Sequence, residues 1–141
     1  MTTILKGIFM LLTRASEYAL LSLDAIRKSD KPVGAEQLAM ELNIPKSFLA
    51  KILQSLAKAN ILDSRRGAAG GFILSRDISE ISVNSIIYAA EGKSPAVFNC
   101  FEHADTCPNG AVGTCIISPF LANFQKKIDN FLDGLMLSDI F

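Results

Sequence analysis

The stretch that decides the fold is residues 35–76, which read AEQLAMELNIPKSFLAKILQSLAKANILDSRRGAAGGFILSR. Apolar residues at helical spacing predict two helices here, over residues 35–42 and from residue 45 to about residue 58. The small side chain of Ala39 lets two helices cross closely, and Asn43, between them, tolerates a left-handed backbone. The stretch therefore predicts a helix-turn-helix.

Two short strand candidates follow the second helix, at residues 61–66 and 71–75. Residues 67–70 between them are Gly-Ala-Ala-Gly, which is typical of a hairpin turn. A phosphate-binding nucleotide loop is excluded, because no Lys-Ser/Thr pair follows and Phe72 continues the second strand. The fold class predicted is mainly α with a small two-stranded β wing, that is, a winged helix-turn-helix.

Three further helices flank this unit. Thr13 is a plausible N-cap for a helix over residues 14–28, and Ser82 for a helix that Gly92 ends. Large apolar residues recur at helical spacing over residues 119–135, which predicts a long amphipathic C-terminal helix suited to dimerisation. We expect three regions: an N-terminal extension (1–12), the winged helix-turn-helix (13–76), and the cysteine loop with the dimerisation helix (77–141).

Composition bounds the class of protein. The chain has 141 residues, of which 50% are hydrophobic, which fits one compact globular domain. The net charge is zero, yet residues 1–76 hold eleven Lys/Arg against six Asp/Glu, whereas residues 77–141 hold three against eight. A basic N-terminal half suits contact with nucleic acid. A lone His and the lack of any nucleophile–base motif argue against an enzyme.

Location is also constrained by the sequence. No apolar run reaches the roughly 18–20 residues needed to span a bilayer, and no secretory signal is evident. Three Cys form an odd set, which fits a reducing compartment better than a disulfide framework. We therefore expect a cytoplasmic protein without membrane association.

The candidate DNA-binding residues are short or basic side chains on the outward side of the second helix and at the base of the wing. They are Lys46, Ser47, Lys51 and Gln54 on the helix, and Arg65 and Arg66 on the wing. A helix with such a surface suits the major groove, with phosphate contacts at its start. The wing places guanidinium groups where they reach phosphate or a minor groove.

The three cysteines, Cys100, Cys107 and Cys115, are separated by six and seven residues. Thiolates bind soft or borderline metals, and a loop can wrap three of them around one cluster. The spacing contains no C-x-x-C pair, so it does not match ordinary zinc fingers or ferredoxins. On the residues alone, three loop thiols without a metal are favoured.

Several stretches together resemble the Rrf2 family of winged-helix transcription regulators, which includes iron–sulfur-cluster biogenesis regulators (IscR-like) and nitric-oxide-sensing repressors (NsrR-like). The matching stretches are Leu12-Thr13 with Tyr18-Ala19-Leu20, residues 44–49 (IPKSFL), residues 66–72 (RGAAGGF), residues 89–92 (AAEG) and the three-Cys loop. The resemblance runs from Leu12 to about Leu135. It implies a homodimer with packed C-terminal helices, which places one recognition helix and one wing on each half-site of a palindromic double-stranded operator.

The resemblance also implies a [2Fe–2S] or [4Fe–4S] cluster held by the three Cys and a fourth ligand. Ser118 stands where the biogenesis regulators have a liganding His, so a Cys₃His site of that type is not expected. Glu17 falls where the nitric-oxide-sensing branch uses an acidic residue from the other subunit. His103 and Asp105, inside the loop, are the alternatives.

The function expected is a dimeric DNA-binding regulator that senses redox state, nitric oxide or iron–sulfur supply. Two other hypotheses stay open. One is a winged-helix regulator whose thiols are oxidised or bind zinc without a cluster. The other is a protein-interaction module that uses a winged helix without DNA.

Overall fold

The structure is a computed structural model that describes residues 12–96, 110 and 114–141. Within these residues it has five α-helices and one two-stranded antiparallel sheet, so the predicted fold class is confirmed. The elements are α1 (Arg14–Arg27), α2 (Ala35–Leu42), α3 (Lys46–Lys58), β1 (Leu62–Arg65), β2 (Gly71–Leu74), α4 (Val83–Glu91) and α5 (Ser118–Gly134), with 3₁₀ turns at Ile78–Glu80 and Leu137–Asp139.

The core lies between α1, α2 and α3, with α4 packed over it. α3 contributes a stripe at helical spacing, since Leu49, Ile52, Leu53 and Leu56 are all buried. Burial of each such side chain stabilises the fold by about 1.5–3 kcal/mol. This stripe fixes which side of α3 faces solvent.

The turn between α2 and α3 has the predicted geometry. Asn43 adopts φ 54° and ψ 47°, the left-handed region that Asn tolerates better than most residues. The next amide, that of Ile44, donates to the carbonyl of Ala39 at 3.0 Å, and the Ile44 side chain is buried. The helix-turn-helix is therefore closed by backbone hydrogen bonding and by a buried apolar side chain.

The wing is a hairpin attached to the segment before α2. Leu62 pairs with Leu74 and Arg65 with Gly71 in β1 and β2. Val33 also exchanges two hydrogen bonds with Phe72, at 3.1 and 2.8 Å, which adds a short third pairing. The wing is therefore held in a fixed position beside the helix-turn-helix.

The approach of Val33 explains the glycine at the start of β2. Gly71 has φ 151°, and a Cβ on it would lie 2.5 Å from the carbonyl carbon of Val33. The atoms that it would meet belong to the backbone, so they cannot move aside by a side-chain rotation. Only glycine fits this position without a shift of the wing.

Helices α4 and α5 form the second layer. The Ser82 hydroxyl caps α4 by accepting from the Ser85 amide at 3.1 Å, and Gly92 ends the helix at φ 76°, both as predicted. α5 packs Leu132 against Val83 and Ile87 of the α4 segment. The chain after α5 returns to this layer, where Leu137 is fully buried.

One cap differs from the prediction. Thr13 occupies the N-cap position of α1, but its side chain makes no cap hydrogen bond. Its backbone N–H instead donates to Oε1 of Glu91 at 2.8 Å. A carboxylate distant in sequence therefore lies at the start of this helix.

Candidate DNA-binding surface and cysteine region

The four candidate residues of α3 lie on its solvent side. Lys46, Ser47, Lys51 and Gln54 are all exposed, whereas the opposite side carries the buried stripe of α3. Helical geometry places positions i, i+1, i+5 and i+8 within one arc of the helix surface. The structure thus brings these residues together on one exposed, basic face, here called the recognition face.

Lys46 has an acidic neighbour on α2. Its Nζ lies 3.3 Å from Oε2 of Glu36, and both side chains are more than half exposed. An exposed ion pair of this kind contributes at most about 1 kcal/mol. Little free energy therefore opposes transfer of the Lys46 ammonium to a phosphate.

Arg65 and Arg66 lie at the end of β1 and at the start of the wing turn, and both are exposed. Within residues 12–96, neither guanidinium forms an ion pair. The turn itself is tight, because Gly67 adopts φ 104° and its carbonyl accepts from the Gly70 amide at 3.0 Å. The two arginines are therefore carried on a tight, hydrogen-bonded hairpin with their side chains exposed to solvent.

The cysteine region, residues 93–117, is described only in part. Cys115 is a free, half-buried thiol that precedes α5. Cys100, Cys107, His103 and Asp105 lie outside the described residues. Within the described part of the chain, no three His, Cys, Asp or Glu side chains converge on a metal-sized site.

Glu17 lies in the first turn of α1. Its Oε2 accepts from Nη1 of Arg14 at 2.8 Å, and its side chain is about half exposed. The carboxylate is therefore accessible from solvent. Ser118 stands at the position where the resemblance led us to look for a liganding His. It is the first residue of α5 and is exposed.

α5 presents an apolar surface that is exposed in the structure. Phe120, Phe124 and Phe131 recur at i, i+4 and i+11, which places them on one side of the helix. Phe120 and Phe131 are 63% and 64% exposed, and the rings of Phe120 and Phe124 stack with centroids 6.1 Å apart. Ile116 and Ile117, just before α5, are also exposed, at 93% and 54%. We call these five residues the α5 apolar face.

Sequence reasoning missed one residue near these features, Glu91. Its carboxylate accepts hydrogen bonds from Thr13 and Ser16 at the start of α1. Its position at the end of a helix was a usable signal, because a negative charge there opposes the dipole of its own helix. The partner at α1 is 75 residues or more away in sequence, which no local pattern shows.

Among the described helices, none combines the length and apolar character needed to cross a membrane.

Comparison with known proteins gives consistent matches over nearly the whole chain. The family model for Rrf2, described as an iron-dependent transcriptional regulator, matches residues 12–141. The protein rrf2 of Nitratidesulfovibrio vulgaris is 31% identical over 133 residues, covering 93% of this chain and 87% of that protein. The helix-turn-helix regulator IscR of Photobacterium profundum is 30% identical over 133 residues, covering 93% and 75%.

Solved structures agree with the fold. The structure of CymR, the global cysteine regulator of B. subtilis, superposes with a TM-score of 0.65 at 21% identity, covering 92% of this chain and 94% of that chain.

Proposed function

Because the chain belongs to the Rrf2 family of helix-turn-helix transcriptional regulators, which are DNA-binding proteins and not enzymes, we propose that it binds a palindromic operator as a homodimer. We further propose that its cysteine region holds an iron–sulfur cluster through which the dimer senses redox state, nitric oxide or iron–sulfur supply. The exposed basic face of α3, beside a wing held rigidly by Val33, is the observation that carries the DNA-binding part.

In the proposed complex, the recognition face of α3 enters the major groove. Gln54 and Ser47 have the hydrogen-bonding groups that read base edges, whereas Lys46 and Lys51 suit phosphates. The rigid wing brings Arg65 and Arg66 to the flanking backbone or minor groove. A buried inner stripe and an exposed basic outer face give α3 the properties that such a helix needs.

DNA binding is tested by selecting duplexes from a random-sequence library with the wild-type protein and then titrating the selected duplex at several salt concentrations. A dimer that places three cations of each subunit on phosphates makes about six such contacts. Its affinity should then fall by about 10³-fold between 50 and 200 mM salt. No selected sequence and no salt-dependent affinity would instead favour a protein-interaction module.

The homodimer is proposed to form through the α5 apolar face. Contiguous exposed apolar surface on a soluble protein is typical of an interface. A second copy covers this surface by symmetry, because a two-fold interface joins the same patch on both subunits. Such a dimer fixes the distance between two recognition helices, which a palindromic operator requires.

The cluster is proposed to be bound by Cys100, Cys107 and Cys115. Three thiols are a donor set suited to iron–sulfur clusters, and Cys115 is a free thiol that is only half-buried. A bound cluster supplies iron that reacts with small oxidants or with nitric oxide. Both [2Fe–2S] and [4Fe–4S] forms are compatible with three cysteines and one further ligand.

The fourth ligand is proposed to be Glu17 of the partner subunit. Glu17 is half exposed on the first turn of α1, and its only described ion pair is with Arg14, which is itself exposed. A carboxylate is a hard ligand that is readily displaced from iron, which suits a sensor of small molecules. His103 and Asp105 are the competing ligands within the loop.

A ligand from the partner subunit connects sensing to DNA binding. While Glu17 is bound, α1 of one subunit is tied to the cysteine region of the other. Loss of the bond to Glu17 would change the relative position of the two recognition helices. The affinity of the dimer for DNA half-sites at a fixed spacing would change with it.

A second candidate function is a winged-helix regulator whose thiols are oxidised or bind zinc. The free thiol of Cys115 is the observation that favours it. A visible absorption spectrum with iron and sulfide analysis, on protein purified without oxygen, separates the two. Absorbance near 400 nm, with roughly two to four iron and sulfide per chain, supports the cluster, whereas a colourless dimer that binds DNA supports the thiol or zinc alternative.

A further inference from the structure

We propose that Glu91 is a positioning residue that holds the first turn of α1 and thereby links the cysteine region to the recognition helix. Glu91 is the last residue of α4, and Gly92 ends that helix in a left-handed conformation. The chain then enters the cysteine region at residue 93. The inference rests on the proposed function, because it assigns Glu91 a part in communication between that region and DNA.

The contact consists of two hydrogen bonds to one carboxylate oxygen. Oε1 of Glu91 accepts from the backbone N–H of Thr13 and from the hydroxyl of Ser16, each at 2.8 Å. The Ser16 side chain is fully buried, so its hydroxyl depends on this partner for a hydrogen bond. The start of α1 is thus fixed by the end of α4 and not by its own N-cap side chain.

A carboxylate at the end of α4 is electrostatically favourable only because the N-terminus of α1 lies beside it. A negative charge at the C-terminal end of α4 opposes the dipole of its own helix. The same charge at the N-terminus of α1 is favourable, because the first amides of a helix have no intrahelical acceptor. The acidic side chain at position 91 is therefore accounted for by its contact with α1.

The start of α1 holds two residues through which the proposed link would act. Glu17, the proposed ligand for the partner's cluster, directly follows Ser16. Tyr18 follows Glu17, and its ring meets that of Phe48 edge-on, with centroids 5.7 Å apart and planes at 84°. Phe48 belongs to α3 and is adjacent to Ser47 of the recognition face. A shift of Glu91 therefore acts on the proposed ligand and on the start of the recognition helix together.

The first readout is amide hydrogen exchange of the metal-free protein, followed by mass spectrometry of peptides from α1, α3 and α5. In Glu91→Ala, we expect the amides of residue 13 and of residues 17–20 to exchange about tenfold faster, while those of residues 49–56 in α3 keep their rates. Glu91→Gln retains an acceptor oxygen and should restore most of the protection. Asn84→Ala is the matched control, because it removes another tertiary hydrogen bond of α4, from Asn84 Nδ2 to Asp133 Oδ1 at 2.7 Å. It should loosen α5 and leave α1 unchanged.

The second readout is affinity of the same metal-free variants for the duplex selected with the wild-type protein. Glu91→Ala should weaken binding by about threefold or more, and Glu91→Gln should restore most of the affinity. Faster exchange in α1 with unchanged DNA affinity would overturn the link to the recognition helix, and unchanged exchange would overturn the positioning role. If the wild-type protein binds no duplex, the proposed function and the link fail together, and the exchange result still decides whether Glu91 positions α1.

Discussion

At the scale of single residues, the proposed DNA-binding surface depends on a few charged side chains that the core does not need. Lys51 and Arg66 are exposed and form no ion pair within the described residues. Their removal should therefore change DNA binding and leave stability almost unchanged.

We expect Lys51→Ala and Arg66→Ala each to weaken operator binding and to reduce the steepness of its salt dependence. A dimer loses two phosphate contacts with each substitution, so the slope of log K against log salt should fall by about two. Fluorescence anisotropy over a salt series measures both effects. Lys126→Ala, on the polar side of α5, is the control and should bind like the wild type. An unchanged slope in both test variants would remove these residues from the interface.

Asp24 gives a prediction about pH. The pKa of its carboxyl is lowered, first by the hydrogen bond from Lys28 at 2.7 Å and then by Arg27, against the opposing effect of desolvation. A lowered folded-state pKa means that the stabilisation is present above the unfolded pKa, near 3.9, and is lost as the pH falls through the folded value.

Asp24→Asn should therefore lower the free energy of unfolding at pH 7 by roughly 0.5 kcal/mol, and this difference should shrink as the pH falls below about 4. Urea denaturation across that range measures it. Lys28→Ala should move the pH at which the stabilisation is lost to a higher value. If the loss in free energy of unfolding of Asp24→Asn does not depend on pH, the ion pairs of Asp24 are not its cause.

The recognition-face residues could be placed from the sequence because helical periodicity fixes which side of α3 is buried. The role of Glu91 could not, because it depends on the end of one helix lying against the start of another that is more than seventy residues away. The Thr13 side chain, predicted to cap α1, makes no cap hydrogen bond.

At the scale of elements, the wing depends on its contact with the segment before α2. The hairpin was predictable from local composition, since the Gly-rich turn and the apolar strand residues are contiguous. The pairing of Val33 with Phe72 was not, because it joins residues 39 positions apart through two hydrogen bonds and has no repeat pattern of its own.

Gly71→Ala should be strongly destabilising. The new Cβ meets the Val33 backbone at 2.5 Å, and the φ of 151° is unfavourable for alanine. We expect a cost of about 1–3 kcal/mol, seen as a fall in Tm of about 3–10 °C by calorimetry, together with weaker DNA binding. Gly134→Ala is the matched control, because a Cβ on Gly134 would have nothing within 4 Å and the residue ends a helix. It should be neutral or slightly stabilising, and an equal loss in both variants would contradict the explanation.

At the scale of the whole molecule, α5 buries only part of its apolar surface. Leu121 and Leu132 are its buried residues, whereas the α5 apolar face is exposed. The sequence predicted this helix and its amphipathic character. Which apolar residues pack within the subunit and which remain exposed became visible only with the tertiary structure.

We expect Phe131→Glu to convert a dimer into a monomer, because the substitution puts a charge into the proposed apolar interface. Analytical ultracentrifugation measures the change in mass, and circular dichroism checks that the fold is kept. Ala122→Glu adds the same charge to an exposed position on another side of α5 and should remain dimeric. Dimers of equal stability in both variants would show that another surface forms the interface.

The cysteine region was the part of the site least accessible to sequence reasoning. Its residue types predict a soft-metal site, but the spacing has no local geometry that fixes a ligand set, and Cys100 and Cys107 lie outside the described residues. Cys107→Ser is expected to remove the visible absorbance of the anaerobic protein while leaving a folded dimer. Retention of full absorbance would show that Cys107 is not a ligand.

In the proposed regulator, the state of the cysteine region controls operator affinity. The most direct measurement is the affinity for the selected duplex of one anaerobic preparation, before and after removal of its iron, with the absorbance recorded on the same samples. We expect the affinity to change by at least about tenfold, within the usual range of allosteric coupling. Equal affinities before and after complete loss of the absorbance would contradict it.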